Sequence, residues 1–343
     1  MEQKDEQYST EQKDLQQNDI QQNSTEQNDM KQNDIQQYST EQFAMEPRKV
    51  LSRAGLSLSL MAAVILLSTF LIELFVEKKM PEIADSDWYV WAVTAITVVG
   101  IGLPTFFFSI KTIPATKKKE IVKLRFFQFV VLFFISMAAL YISSMFGSII
   151  NFIITAIKGG NIINPAQEAI LGGNLLISFV YAALVAPVVE EIIFRKLLLD
   201  KLRRFGDLPA ILLSGFAFGL FHMNLAQFFY AAALGIIFAY ITVRTNTIRY
   251  SILLHILINL TGATIAPLVI QSGNMLFVIL LVTWMFTCVG VGILFFVLNR
   301  KNILLIKAEV PIVKKSIYFL NFGTILFTLI CLVMTVRLIL YVG

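Results

Sequence analysis

The sequence is short of nearly everything that a soluble, metal-bound or disulfide-stapled protein draws on. Only 15% of its 343 residues are charged, against roughly 25% in ordinary globular chains. Two cysteines, Cys288 and Cys331, both sit in apolar runs, which excludes a disulfide framework or a CxxC redox or metal motif and makes them packing residues. There are only two histidines, and no HExxH pair for a zincin-type site. A GxSxG serine motif is absent too. Outside the N-terminal segment the only aspartates are Asp85, Asp87, Asp200 and Asp207, in loops or at an interface, which disfavours aspartyl catalysis within a membrane. No apolar run precedes Arg53, so no secretory signal peptide is expected.

What is abundant is apolar: 57% of the chain, with a mean hydropathy of +0.72. Residues 1–47 stand apart, with a net charge of −8 and a 15-residue repeat. YSTEQKDLQQNDIQQ begins at Tyr8, NSTEQNDMKQNDIQQ at Asn23 and a truncated YSTEQ at Tyr38. Each copy offers two or three apolar residues, too few to offset the entropy of ordering so polar a segment. It reads as a disordered cytoplasmic tail, with capture of a partner as the alternative.

Residues 48–343 read as a transmembrane domain. Runs able to cross a bilayer, which takes about 20 residues, lie near 54–76, 88–110, 126–150, 172–194, 208–225, 227–243, 250–269, 275–298 and 316–341. The expected fold is therefore an all-α, polytopic transmembrane helical bundle of eight or nine helices. Its basic residues alternate by joint. Arg48, Lys49 and Arg53 precede the first run, and further clusters follow the second (Lys111 to Arg125), fourth (Arg195 to Arg204), sixth (Arg244, Arg249) and eighth (Arg300 to Lys315). The opposite joints hold only Lys78, Lys79 and Lys158. By the positive-inside rule the N-terminus is cytoplasmic and the C-terminus external. The same pattern explains the basic pI of 9.1 without nucleic acid, which is not expected as a partner. Trp88, Tyr89 and Trp91 read as an interfacial belt.

Charged groups inside a membrane are costly and are functional candidates by default. Glu73 and Arg337 lie near run ends, where they can snorkel. Glu190 and Glu191 differ, standing together in APVVEEIIFR at 186–195. Successive helical residues point about 100° apart, so the two carboxylates should not share one partner. Glu191 and Arg195 have the i, i+4 spacing of an ion pair, leaving Glu190 to face something else. Pro187 should kink the helix just before them. The bland alternative is a structural salt bridge with a spare acid. Both histidines also fall in membrane runs, His222 in FGLFH and His255 in HILIN, with Asn259 one turn after His255 on the same face. Glu190 and His222 each lie 16 residues from a turn at Gly206, about 24 Å along facing helices. A second turn near Asn246 puts His255 and Asn259 at roughly 13–20 Å. Gly215 and Gly219 read as close helix packing.

Two adjacent glutamates with arginine four residues after the second, then Phe with His four later, then His with Asn four later, resemble the CPBP family of intramembrane proteases, which groups type II CAAX prenyl endopeptidases with bacterial Abi and bacteriocin-processing or bacteriocin-immunity proteins. The resemblance covers about residues 172–262. It implies that Glu190 and His222 activate water, that His255 and Asn259 stabilise the oxyanion, and that Glu191 and Arg195 support the site. An oxyanion donor of this kind contributes roughly 3 kcal/mol. The implied partner is a peptide or protein substrate at the membrane. No cofactor is favoured. The alternative is zinc held by Glu190, His222 and His255. Two non-enzymatic readings remain beside it: a bacteriocin-immunity or other membrane-binding protein, and a transporter using the charges as a proton relay, for which no inverted repeat is found.

Overall fold

The computed structural model describes residues 46–114, 116, 120–160, 162, 164–306 and 314–340. The repeat tail through residue 45 and the basic positions 117–119 and 307 lie outside the described residues. In hydrocarbon every backbone N–H and C=O has to be satisfied within its own segment, so the apolar runs become helices. In chain order these are α1 (Pro47–Lys79), α2 (Tyr89–Ile110), α3 (Phe126–Lys158), α4 (Leu175–Phe205), α5 (Asp207–Phe221), α6 (Leu225–Thr245), α7 (Arg249–Gln271), α8 (Met275–Asn302) and α9 (Phe322–Leu340). Eight of them are long and apolar enough to cross a membrane, and the chain is a multi-pass membrane protein. The exception is α5. The run at 208–225 makes a helix of only 15 residues, about 22 Å long, short of a hydrocarbon layer about 30 Å thick.

The turns fall where the sequence puts them. Gly206 has φ 92°, a value open to glycine, and separates α4 from α5. Asn246, at φ 55°, ends α6 ahead of α7. The kink expected at Pro187 takes another form. The backbone widens into π-helical register over Phe179–Val185 and returns to α-helix over Ala186–Glu191. Pro104 and Pro267 likewise follow π-helical stretches, Ala95–Gly102 and Thr261–Ile265. A proline has no N–H for the ladder, and widening the preceding turns lets each helix run on past it.

At the centre, α5 and α6 pack closely because glycines let them. A Cβ added at Gly215 would lie 2.6 Å from Ile236 Cγ1, and one at Gly219 would lie 2.8 Å from Ala232 Cβ. Neither position has room for a side chain, as the small-residue reading expects. Around this pair, α3 packs on α6 and α8, α7 packs on α4, and α1 packs on α2 and α9. About half of the apolar window of α6 and 44% of that of α4 is buried, against 11% for α8, so α4 and α6 form the interior and α8 faces lipid. Cys288 and Cys331 are free and fully buried packing residues.

One belt residue is misplaced by the sequence reading. Trp88 is 43% exposed, as an interfacial residue would be, but Trp91 is buried against Tyr181 of α4, with ring centroids 5.4 Å apart. Trp91 sits one turn further along α2, on the face turned to the bundle interior. At the opposite end of the bundle, Arg203 donates to the Val243 carbonyl at 3.3 Å, Arg204 to the Pro114 carbonyl, and Thr116 to the Asp200 carboxylate at 3.1 Å. These bonds tie the basic joints together.

Candidate active site

Four helices bring the three motifs to one place: α4 supplies Glu190, Glu191 and Arg195; α5 supplies Phe218 and, at its C-terminal cap, His222; α6 supplies the Gly235 carbonyl; and α7 supplies His255 and Asn259. Glu190, His222, His255 and Asn259 all line one cavity of about 520 Å³. Glu190 and His222 of one hairpin thus meet His255 and Asn259 of the next, although the two pairs lie at different distances from their turns.

The two glutamates share a partner after all. His255 lies between them, its Nδ1 bonded to Glu191 Oε1 at 3.1 Å and its Nε2 3.5 Å from Glu190 Oε2. Neighbouring carboxylates do diverge by about 100°, but an imidazole presents a nitrogen on each of two edges, so one ring can meet both. Their environments remain different. The Glu191 side chain is fully buried, and its Oε1 is also 3.2 Å from an Arg195 terminal nitrogen. The Glu190 side chain keeps 21% exposure, facing the cavity.

Arg195 is 2% exposed, an expensive place for a guanidinium unless its surroundings are complete. Besides Glu191 it has the Gly235 carbonyl at 3.4 Å and lies over the Phe218 ring, 4.3 Å from its centroid, with Phe238 at 5.6 Å and Phe194 at 5.9 Å. Aromatic faces are a suitable low-dielectric bed for a guanidinium. The carbonyl is in reach because residue 235 is glycine. Its Cβ would lie 2.9 Å from the Gly215 carbonyl oxygen, so any side chain would push α6 off α5. Ser214, donating to the Phe194 carbonyl at 2.9 Å, pins α5 to α4 beside this cluster.

Phe218 serves the site twice. Its ring carries Arg195, and its carbonyl lies 2.9 Å from His222 Nδ1. A carbonyl only accepts, so the hydrogen bond puts a proton on Nδ1 and leaves Nε2 of a neutral His222 as a lone pair. The His222 ring stands edge-on to Phe218 with centroids 4.9 Å apart.

Asn259 donates from Nδ2 to the Ala182 carbonyl at 2.9 Å. That carbonyl is left over by the local backbone. In the π-helical stretch the Ala186 N–H bonds to Tyr181, so the next N–H along, which Ala182 would take, belongs to Pro187 and does not exist. Asn259 supplies the missing donor and locks α7 to the widened turn of α4. One amide hydrogen of Asn259 is used this way and one is left over. The sequence reading identified the asparagine without its partner, because the partner is a backbone atom orphaned by a change of helical register. It also took Trp91 for a belt residue and passed over Tyr181, and the two form one wall of the cavity. Residues so apolar in composition carry no signal that separates a cavity wall from a lipid-facing stripe.

Among the described residues no group of three or more His, Cys, Asp or Glu side chains converges to hold a metal ion. Glu190, His222 and His255, the residues of the zinc alternative, nevertheless line the same cavity.

Residues 172–261 match the family model described as type II CAAX prenyl endopeptidase Rce1-like. The chain is also similar to a protein named "Putative membrane peptidase YdiL" of Bacillus subtilis (strain 168), at 32% identity over 84 residues, which is 24% of this chain and 34% of that protein. The match thus spans about a third of the length of that relative. No solved structure matches the chain. The segment that matches is the one that holds Glu190, Glu191, Arg195, Phe218, His222, His255 and Asn259, and over it the chain is similar to the type II CAAX endopeptidase branch of the CPBP family.

Proposed function

We propose that the protein is an intramembrane endopeptidase that hydrolyses a peptide bond of a membrane-associated peptide or protein with a water activated by Glu190 and His222. The observation that carries this reading is the shared cavity. A partly exposed carboxylate, a histidine with a free Nε2 and a buried, charge-supported His255 all face the same space. In the reaction, Glu190 takes a proton from water as the oxygen attacks the carbonyl carbon, with the lone pair of His222 Nε2 sharing that proton. The proton then passes to the amine nitrogen as the C–N bond breaks, leaving a carboxylic acid and an amine.

His255 donates to the developing oxyanion from Nε2, and Glu191 holds its Nδ1–H. Glu191, itself fixed by Arg195, orients the imidazole for that donation. The remaining amide hydrogen of Asn259 is the second oxyanion donor.

The roles are metal-free in this proposal. Protein reconstituted into liposomes with a library of membrane-anchored peptides, cleavage being read by mass spectrometry, should keep its turnover in chelator and contain no stoichiometric zinc. One zinc per chain, lost together with activity and restored by adding the metal back, would transfer Glu190, His222 and His255 to ligand roles.

A further inference from the structure

The cavity and the basic residues occupy opposite ends of the same helices. Glu190 lies halfway along α4, and the cavity runs from it in one direction only. Its walls and mouth come from the start of α2, the middle of α3, the first half of α4, the last turn of α5, the first turns of α6, α7 from His255 onward, and the connection between α3 and α4. At the mouth, Gln167, Leu171 and Ile270 are exposed. In the other direction the floor is sealed. Glu191 and Arg195 are fully packed, and beyond them stand Arg203 and Arg204 at the end of α4, Arg244 at the end of α6 and Arg249 at the start of α7. The antiparallel packing of α4 on α5, α5 on α6 and α6 on α7 keeps the basic turns at Gly206 and Asn246 at one end and the mouth residues at the other.

We infer that the site is fed from the non-cytoplasmic side of the membrane, so that its substrate is a peptide segment exported across the bilayer or anchored in its outer half. The positive-inside rule places the basic joints in the cytoplasm, and the mouth then faces outward. This deepens the peptidase reading and rests on it for the word substrate, though the direction of the opening does not. The mouth and walls also describe what enters. Trp91, Leu171 and Ile270 give an apolar surface, and Gln167 and Gln227 give neutral amides able to bond an extended backbone. Among the cavity-lining residues there is no lysine or arginine to receive a free carboxylate, so an internal, uncharged stretch fits better than a chain terminus.

Single-cysteine variants of the full chain test the direction. With Cys288 and Cys331, both buried, changed to alanine, Gln167→Cys marks the mouth and Arg249→Cys the sealed end. Cells are treated with a membrane-impermeant maleimide before and after permeabilisation. Gln167→Cys should label fully in intact cells, and Arg249→Cys should gain its label only on permeabilisation. The reverse pattern, or labelling of both from one side, would overturn the inference. Should either variant fail to accumulate, an alkaline phosphatase fusion after Gly160 reports the same face. An active fusion supports an outward mouth, and an inactive one sinks it. Failure of the peptidase reading would show separately, as no cleavage by wild-type liposomes of either orientation with the labelling pattern unchanged.

Discussion

On one side of His255 the bundle is closed and charged; on the other it is open and almost neutral. Glu191 and Glu190 are consecutive residues contacting the same imidazole, yet Glu191 is fully buried against Arg195, which itself lies over Phe218 and near Phe238, while Glu190 faces a cavity of about 520 Å³. Burial of charge makes the difference. A carboxylate walled in from solvent has to be held ionised by permanent partners, and so it is fit for support. A carboxylate with space in front of it can exchange protons with water, and so it is fit for chemistry. Side-chain type is the same in both cases, and only the packing assigns the work.

The sharpest way to break that contrast is to neutralise each glutamate in turn. Glu190→Gln keeps shape and hydrogen bonding but removes the base, so turnover should fall by about 10²–10⁴-fold or more while the amount of folded protein in the membrane stays at the wild-type level. Glu191→Gln should lower both. If the folded yield falls for Glu190→Gln and not for Glu191→Gln, open and closed sides have been assigned the wrong way round. Next in size is Arg195→Ala. It strands Glu191 without its counter-charge and empties the space over Phe218, and breaking a buried pair costs about 3–5 kcal/mol. Thermal unfolding in detergent should register the loss, and a midpoint equal to wild type would show that Glu191 needs no cation.

Much of this was legible in the sequence, and the boundary of what was not is physical. Charge at alternate joints and run lengths of about 20 residues specify the helices, since both follow from the bilayer as solvent. The i, i+4 spacing specifies the Glu191–Arg195 pair, because helix geometry is fixed. The sharing of His255 between Glu190 and Glu191 was not legible, as it depends on the approach of α7 to α4, a long-range fact. The same is true of Trp91. Its place in sequence, near a run end beside Trp88, is what an interfacial residue would have, and only the rotation of α2 turns it inward. The π-helical stretches were likewise hidden, because proline announces a lost hydrogen bond without saying whether the helix will bend or widen.

Asn259 tests where the closed and open sides meet. Its amide satisfies the Ala182 carbonyl that Pro187 leaves orphaned, and in the proposed mechanism it also faces the oxyanion. Asn259→Ala should therefore cost about 1–3 kcal/mol of stability through the unpaired carbonyl, and slow turnover about a hundredfold. Pro187→Ala separates the two effects by returning a backbone N–H to α4. In the Pro187→Ala background the stability cost of Asn259→Ala should shrink and the loss of turnover should persist. A rate deficit that disappears along with the stability cost would confine Asn259 to holding the helices.

The smallest effect is expected on the open wall. Trp91 is 8% exposed and its indole N–H has no hydrogen-bond partner in the structure. Trp91→Phe therefore gives up no protein hydrogen bond, retains an aromatic ring against Tyr181, and removes a few atoms beside a space that is already open. Stability should change by less than about 1 kcal/mol, in contrast with the several lost at Arg195 on the closed side. If the indole N–H is held in reserve for a substrate carbonyl, KM rises with kcat nearly unchanged, because such a contact is made equally in the ground state and the transition state. The measurement is the unfolding midpoint together with both kinetic constants. A destabilisation as large as that of Arg195→Ala would mean that the wall is as tightly packed as the floor, and the contrast between the two sides would fail.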